Sequence, residues 1–456
     1  MKRNFDRVWI LALLISFASQ LAGPVAHPAR QTKTEDQPET APPIRMIMGG
    51  EYWGVTPSEE YAEYLGKVRP DLIHASVLGP ELASMIPARG EGRCITPIHP
   101  SPVDSVRQYQ NWWSGFLPSI QQHGIKIQTT FSMINLWGNH KTESGFFQYY
   151  AHDWEEDLFG DRPVVNPVTL LERDADGHPL STSGRKWRRY RGCVNNPHWR
   201  TVLKKMVRSG IETGFDGFMV QYPHARGGCV CPHCQRRFKE FLRRKYSLRV
   251  LDNRFGIKDL ESHVFETTAR RPGPPRPIDI EARQFSAISV KECFDEVFIE
   301  YGRGLKEDLV LSMWTHFRRF LNEGNPNPNQ SPTTRNTNTS WAAYVDERAL
   351  LAPEMWADGE SYTWYSNPVY RSHLEDGIVG DTTLAAKFLR AMGDGRPFVA
   401  QKYDYFRWRL TTMEAVALGG TAFGAWKGGW SGGPDREEVH LKSYYDFIRR
   451  ISPLLY

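Results

Sequence analysis

Four cysteines have a spacing that suits metal binding. Cys229, Cys231 and Cys234 lie within one six-residue segment, and Cys193 lies upstream. Thiolate sulfur is a preferred ligand of zinc, and a fourth thiol from a neighbouring element completes a tetrahedral site that is closed to water and therefore structural. Disulfides are the alternative in an exported protein. However, cysteines so close together on one loop cannot readily pair, because their Cβ atoms must approach to about 4 Å in a suitable orientation.

Three carboxylic acids lie beside aromatic residues at the ends of predicted strands. Glu51 follows the first predicted strand, Glu360 lies just past the sixth, and Asp404 follows the seventh. Carboxyl groups in such a setting are candidate general acids, general bases or nucleophiles. For each of them the alternative is a loop cap or an ion pair with a nearby arginine. Asp216, by contrast, begins its strand and is predicted to be structural, at the face of the sheet that serves stability.

Polar and aromatic residues at the other predicted strand ends are candidates for contact with a substrate. They are Tyr52, Trp53, Asn135, Trp137, Gln221, Tyr222, His224, Arg226, Trp314, His316, Lys402, Trp426 and Lys427. A single His or Trp is usually a packing residue, so the prediction depends on their shared location. The chain has 15 Trp and 19 Tyr, and such rings offer apolar faces on which sugar rings can stack.

The elements that would position these residues alternate between apolar, β-rich segments and amphipathic ones. The predicted strands are Arg45–Trp53, Asp71–Leu78, Ile125–Met133, Phe215–Tyr222, Leu309–His316, Leu350–Ala357, Pro397–Tyr403 and Thr421–Trp426. The predicted helices between them include Pro197–Thr213, Gln235–Tyr246, Ile288–Leu305 and Leu410–Leu418. This alternation indicates parallel βαβ units, and about eight of them match a closed barrel better than an open sheet. The predicted fold is an α/β (β/α)₈ barrel over residues 44–456.

Three long insertions interrupt the alternation, at Trp137–Tyr190, Leu251–Pro277 and Asn322–Ser340. The first and third follow the carboxyl ends of strands, where the active sites of barrels lie, so either could shape a substrate cleft. The sequence has no Gly-rich dinucleotide or phosphate-loop motif, which argues against a nucleotide-binding enzyme of the Rossmann type.

The amino terminus has the pattern of an exported protein. Lys2, Arg3 and Arg7 precede the apolar run Val8–Ala18, which is typical of a secretory signal peptide and shorter than the ~20 residues of a spanning helix. We predict a signal peptide over residues 1–26 and a disordered, proline-rich linker over residues 27–43. The protein would then be secreted or periplasmic, without stable membrane insertion after cleavage; an uncleaved anchor is the alternative.

The net charge of +5, from 57 basic and 52 acidic residues, is too small to indicate a nucleic-acid partner.

The cysteine region also carries a family resemblance. Cys193 precedes a helix and the fourth strand, Cys229-Val-Cys231-Pro-His-Cys234 follows that strand, and an aromatic-rich helix then ends in Lys-Tyr. Over residues 186–247 this pattern resembles the zinc-cluster β-galactosidases of glycoside hydrolase clan A, in family 42. The resemblance implies a (β/α)₈ barrel and a carbohydrate substrate. It also implies a structural zinc ion with the ligands Cys193, Cys229, Cys231 and Cys234.

The sequence departs from this family at the two catalytic positions. The family has an Asn-Glu pair at the end of the fourth strand and a second Glu at the end of the seventh. This chain has Gln221-Tyr222 at the first place and Gln401-Lys402-Tyr403-Asp404 at the second. The usual catalytic pair is therefore not matched, unless Asp404 takes the second position.

The leading hypothesis is an exported glycosidase that hydrolyses O-glycosyl bonds of an oligo- or polysaccharide, with Glu360 and either Asp404 or Glu51 as the reacting acids. One alternative is a carbohydrate-binding barrel that retained the metal site but lost catalysis. Another is different acid/base chemistry on anionic glycans, which Lys402, His316 and Arg226 would suit.

Overall fold

The computed structural model of the protein describes residues 44–49, 59–87, 103–182, 188–221, 228–266, 276–315, 355, 357–365, 383–400, 408–425 and 438–455. All of them belong to one compact unit, Pro43–Tyr456. The predicted signal peptide and linker, and the predicted insertion Asn322–Ser340, lie outside the described residues. In the described part of the chain, no helix combines the length and the apolar character needed to cross a bilayer.

The strands of the described residues are β1 Met46–Gly49, β2 Leu72–Leu78, β3 Lys126–Ser132, β4 Asn135–Asn139, β5 Ser144–Gly145, β6 Ser181–Thr182, β7 Arg188–Arg191, β8 Gly217–Gln221, β9 Val310–Thr315, β10 Thr363–Tyr365, β11 Phe398–Ala400 and β12 Ala422–Ala425.

The helices are α1 Glu59–Val68, α2 Pro80–Met85, α3 Val106–Gln121, α4 Phe146–His152, α5 Glu156–Phe159, α6 Pro197–Thr213, α7 Pro232–Lys245, α8 Leu248–Phe255, α9 Pro277–Phe294, α10 Arg303–Leu305, α11 Thr383–Met392, α12 Trp408–Ala417 and α13 Glu438–Leu455. A 3₁₀ helix spans Pro167–Leu170, and a π-helix, Asp295–Gly302, continues α9.

Eight strands form one sheet in the order β11-β10-β9-β8-β3-β2-β1-β12, and the paired neighbours are parallel. The two outer strands also meet, since the backbone amide of Thr421 donates a hydrogen bond to the carbonyl oxygen of Phe398 at 2.8 Å. Among the described residues, helices lie between most successive strands of this sheet. The predicted (β/α)₈ barrel is confirmed.

Seven of the eight predicted strands contain an observed strand, and the prediction for the sixth is wrong. The sixth barrel strand is Thr363–Tyr365, whereas Ala357 at the end of the predicted segment is helical. Residues 361–366 include no aliphatic residue, so this segment lacks the apolar run by which the other strands are recognised. Trp364 is fully buried, so tertiary packing rather than local pattern defines this strand.

Aspartates bind the amino ends of neighbouring strands together. The Oδ2 atom of Asp216, just before β8, accepts hydrogen bonds from the Ile127 amide and from Nε2 of Gln121, both at 3.0 Å. Oδ2 of Asp71, just before β2, accepts a hydrogen bond from the Met46 amide at 2.9 Å. Both carboxylates therefore satisfy backbone donors at the face of the barrel opposite the active-site face, as predicted for Asp216.

Helix α6 begins and ends where its sequence provides caps. The Asn196 side chain accepts a hydrogen bond from the His198 amide at 2.9 Å, and Pro197 occupies the first turn. The helix ends at Gly214, whose φ of 108° is left-handed. These caps satisfy the free backbone groups at both helix ends and return the chain into β8.

The first predicted insertion folds as a small antiparallel sheet beside the carboxyl end of β3. Its strand order is β5-β4-β7-β6. Phe147 and Tyr190 pack edge to face beneath it, with ring centroids 5.2 Å apart. Strand β4 starts three residues after β3 ends, so the register of this sheet fixes the residues that follow β3.

A second insertion, comprising α7, α8 and α9, has a hydrophobic core of its own. Phe238, Phe241, Leu242, Leu251 and Phe285 are buried in it. The insertion follows the cysteine loop directly, so the loop connects this separate core to the barrel.

Candidate functional site

Four predicted substrate-contact residues lie at or near the carboxyl ends of described barrel strands. Gln221 is the last residue of β8 and is fully buried. Asn135 begins β4, just after β3, and is also buried, whereas Trp137 is half-buried. Trp314 lies in the second half of β9. The structure therefore places these four at the face where barrel active sites form.

Apart from Glu360, the remaining predicted substrate and catalytic residues lie outside the described residues. They are Glu51, Tyr52, Trp53, Tyr222, His224, Arg226, His316, Lys402, Asp404, Trp426 and Lys427.

Glu360 occupies a different position from the one predicted. It precedes β10 instead of following the sixth strand, because that strand is Thr363–Tyr365. Its buried carboxylate accepts a hydrogen bond at Oε1 from the backbone amide of Met313 in β9, at 2.9 Å. Pairing of Trp364 with Trp314 places Glu360 near the amino ends of the two strands. A carboxylate that accepts a hydrogen bond from a strand amide has a structural role.

The most informative described arrangement at the carboxyl face joins Trp137 to Glu81. The indole Nε1 of Trp137 donates a hydrogen bond to Oε1 of Glu81 at 3.2 Å, and the Trp137 amide donates to the Ser84 hydroxyl at 3.0 Å. The guanidinium carbon of Arg189 lies 5.6 Å from the centroid of the Trp137 ring. Contacts at the Trp137 backbone amide, at the indole nitrogen and at one face of the ring therefore fix its orientation.

Glu81 is a buried acid with little compensation. It is 2% exposed, and its Oε2 atom has no hydrogen-bond partner in the described part of the chain. Burial raises the pKa of the Glu81 carboxyl to about 7, against the opposing effects of the Trp137 hydrogen bond and the Arg189 charge. A carboxyl group with such a pKa changes its charge near neutral pH.

Glu81 is not among the site residues predicted from the sequence. It lies in Gly79-Pro80-Glu81, immediately after β2, so its position at a strand end was the available signal. The aromatic neighbours that drew attention to other acids are absent from this stretch of sequence, because Trp137 arrives from a distant part of the chain.

The interior of the barrel contains a buried polar network below this face. Nε2 of His74 lies 2.9 Å from the Thr130 hydroxyl, Nδ1 of His74 lies 3.3 Å from Nε2 of Gln128, and Gln128 also donates to the Tyr362 hydroxyl. Burial lowers the pKa of His74 to about 3, so its ring is neutral. The His74 and Trp364 rings are 4.9 Å apart. This network fills the barrel and fixes the strands that support the face above.

The four predicted metal ligands converge on one point. Sγ of Cys193 lies 3.6 Å from that of Cys231, 3.5 Å from that of Cys234 and 3.9 Å from that of Cys229. All four sulfur atoms lie within 4.8 Å of one another. Metal–sulfur bonds of about 2.3 Å in a tetrahedron place the sulfur atoms about 3.8 Å apart. The cysteines are free thiols rather than disulfides, and they could together bind one metal ion.

Local structure explains how the thiols are positioned. The Cys193 amide donates to the Leu170 carbonyl at 2.8 Å, which fixes the chain between β7 and α6. Cys231 is the N-terminal flanking residue of α7, and Cys234 lies in its first turn. The Asn195 side-chain amide and the Arg173 backbone amide donate to the sulfur atoms of Cys234 and Cys229, both at 3.3 Å. Such donors stabilise thiolate, the form that binds metals.

The fold and these two sites define a class: a (β/α)₈ barrel with a four-cysteine cluster after its fourth strand and polar and aromatic groups at its carboxyl face. No protein-family model and no curated protein matches the sequence. Solved structures do match the fold.

Several solved β-galactosidase structures share the fold at low sequence identity. The β-galactosidase from the psychrophilic Marinomonas ef1 has a TM-score of 0.52 at 13% identity, over 90% of this chain and 59% of that one. The β-galactosidase from the haloarchaeon Halorubrum lacusprofundi has a TM-score of 0.51 at 15% identity, over 90% and 58%. A family GH42 β-galactosidase from G. stearothermophilus has a TM-score of 0.51 at 12% identity, over 91% and 58%.

This chain therefore spans less than two thirds of the length of those proteins. The likeness establishes a shared barrel fold, and it agrees with the family resemblance seen in the cysteine region of the sequence.

Proposed function

We propose that this protein is an exported glycoside hydrolase that acts on glycosidic bonds of an oligo- or polysaccharide. The barrel fold supports the proposal, as does the cysteine pattern over residues 186–247. The solved structures that share the fold bear the name β-galactosidase, which supports a carbohydrate as the substrate. Fold alone does not define function, so the argument must come from the site.

The observation that carries the proposal is the fixed indole ring of Trp137 at the carboxyl face. Its nitrogen is bound to Glu81 and one face lies against Arg189. A half-buried ring with its orientation fixed loses little conformational entropy when a ligand packs against it. Sugar rings, which have apolar C–H faces and polar edges, suit such a surface with charged groups beside it.

Asp404 and Glu51 are the reacting acids in this proposal. A retaining mechanism needs two carboxyl groups about 5 Å apart, and an inverting mechanism needs a wider separation. Glu81 is enclosed, so its role is to orient Trp137 rather than to transfer a proton to the substrate. Glu360 is not part of the reacting set, because it lies at the amino ends of β9 and β10.

Zinc is the metal that we propose for the cysteine cluster. Four thiolates that can coordinate one ion tetrahedrally suit zinc, and they leave no position for a catalytic water. Bound zinc would tie the segment before α6 to the start of α7, and so would hold the α7–α9 insertion on the barrel.

Release of reducing ends from a panel of oligo- and polysaccharides tests the hydrolase proposal. We expect Asp404→Asn and Glu51→Gln each to lower kcat at least 100-fold, because removal of an acid or base costs about that much or more. Trp137→Ala should raise KM with a smaller effect on kcat. Glu307→Gln is a matched control, since Glu307 is exposed beside the amino end of β9. Full activity in both acid variants would contradict the assignment.

A carbohydrate-binding barrel without catalysis is the second candidate. The observation that favours it is Gln221, a buried amide at the end of the fourth barrel strand, where the resembling family has its catalytic acid. Saturable glycan binding by the wild-type protein, weakened by Trp137→Ala and without release of reducing ends, would support this function instead.

A further inference from the structure

A cavity lies between the cysteine cluster and the helices of the α7–α9 insertion. Its volume is about 260 Å³, and Cys193, Cys229 and Cys234 form part of its wall. None of the residues proposed for carbohydrate binding or hydrolysis lines it. Whatever binds in this cavity therefore does not compete directly for the proposed active site.

Phenylalanine side chains form one part of the wall, beside polar residues such as Asn195 and His263. Phe238, Phe265 and Phe285 are each less than 10% exposed, and the ring of Phe238 lies 4.6 Å from that of Phe265 and 5.1 Å from that of Phe285. The Gln235 side chain donates to the Phe265 carbonyl at 2.8 Å and accepts from the Phe265 amide at 3.1 Å. The wall is therefore preformed, and the atoms that face an empty cavity lose packing contacts.

Ser289 contributes a buried hydroxyl group to the lining of this cavity. Ser289, on α9, is 1% exposed, lines the cavity, and its hydroxyl has no hydrogen-bond partner in the described part of the chain. A buried hydroxyl that lacks a partner is costly in a folded protein. A ligand that supplies a hydroxyl group would satisfy it.

The charges around the cavity favour a neutral ligand. The Glu172 carboxylate is paired with Arg191 at 2.5 Å, and Arg276 is paired with Asp279 at 2.9 Å. Four thiolates around one divalent ion leave a net negative charge on this wall. An anionic ligand would therefore be repelled, and no unpaired cation of the described wall compensates for it.

We infer that this cavity is a binding site for a small, neutral aromatic compound that carries a hydroxyl group. The ring would pack among Phe238, Phe265 and Phe285, and its hydroxyl would form a hydrogen bond with Ser289. A cavity of about 150 Å³ lined by apolar side chains binds benzene. The larger volume of about 260 Å³ accommodates a ring with a short substituent.

Titration calorimetry with p-cresol tests this inference on the full chain purified without chelators. We expect saturable binding of p-cresol and at least ten-fold weaker binding of 4-methylbenzoate. Ala282→Leu fills the cavity from α9 and should weaken p-cresol binding at least ten-fold. Ser289→Ala removes the proposed hydrogen bond and should weaken it roughly three- to ten-fold.

Ser209 provides a matched control. It is also 1% exposed, but its hydroxyl donates a hydrogen bond to Gln110 at 2.9 Å, far from the cavity wall. Ser209→Ala should lower the melting temperature and leave p-cresol affinity unchanged. Ser289→Ala should weaken p-cresol binding without lowering the melting temperature. If Ala282→Leu fails to fold, the comparison of Ser209→Ala with Ser289→Ala still tests the inference. Absence of binding to the wild-type protein, or equal affinity in all variants, would overturn the inference.

Discussion

The cysteine cluster and the Glu81–Trp137 pair are both buried polar arrangements near the carboxyl ends of barrel strands, but they are assembled differently. Three of the four thiols come from one short segment, Cys229–Cys234. Glu81 and Trp137 are 56 residues apart and meet only because β2 and β3 are neighbours in the sheet. The first arrangement is largely local, and the second is wholly tertiary.

The two regions also differ in how burial is compensated. A bound divalent metal ion would neutralise half of the charge of four thiolates, and backbone and amide donors already point at the sulfur atoms. Glu81 receives one described hydrogen bond, from Trp137, and burial consequently raises the pKa of its carboxyl to about 7. A metal-bound cluster would lose stability when acid protonates its thiols, whereas the buried Glu81 carboxyl makes stability depend on pH near neutrality.

Removal of the proposed metal should lower the free energy of unfolding more than substitutions at Arg191 or Glu81 change it. We expect Cys231→Ser, or chelation of the wild-type protein, to lower the free energy of unfolding by more than about 5 kcal/mol, because structural zinc sites contribute about 10 kcal/mol or more in zinc-finger peptides. Metal stoichiometry and thermal unfolding would measure this. Cys293→Ser is the control, since Cys293 is buried outside the cluster. A wild-type protein that contains no metal would contradict the prediction.

The ion pair beside the cluster tests whether this region depends on the metal alone. Glu172 and Arg191 are paired at 2.5 Å, with side chains 6% and 9% exposed. Loss of one partner from a buried pair leaves the other charge buried without compensation. Arg191→Ala should therefore lower the free energy of unfolding by about 3–5 kcal/mol, as measured by denaturant unfolding. The pair of Lys67 and Glu63 is 60% and 69% exposed, and Lys67→Ala should cost less than about 1 kcal/mol. Equal effects would show that burial does not set the difference.

Replacement of Glu81 should have a smaller effect, visible mainly as a change in pH dependence. The folded-state pKa of about 7 lies above the ordinary value of 4.5, so the folded chain retains a proton that the unfolded chain releases. The resulting stability is fully present below about pH 4.5 and is lost as pH rises through 7, by up to roughly 3 kcal/mol.

Glu81→Gln should therefore be more stabilising, relative to the wild type, at pH 8 than at pH 5. Denaturant unfolding at the two pH values measures the difference, with Glu307→Gln as the exposed control. If the free energy of unfolding changed equally with pH in the wild-type protein and in Glu81→Gln, the proposed role of Glu81 burial would be refuted.

Much of the barrel could be predicted because its signals are local. Seven strands followed from apolar runs, and helix α6 followed from its amphipathic pattern. The sixth strand was placed wrongly because residues 361–366 include no aliphatic residue, and the burial of Trp364 depends on its partners. That error also displaced Glu360 from the end of its strand to the beginning.

The alternation of strands and helices and the identity of the clustered thiols could be predicted from the sequence, because periodicity and a short ligand spacing are properties of neighbouring residues. The burial of Glu81 beside Trp137, the hydrogen bond from Met313 to Glu360 and the position of Ser289 at a cavity are results of the fold. Burial and pairing depend on groups that arrive from distant parts of the chain, so a linear pattern does not contain them.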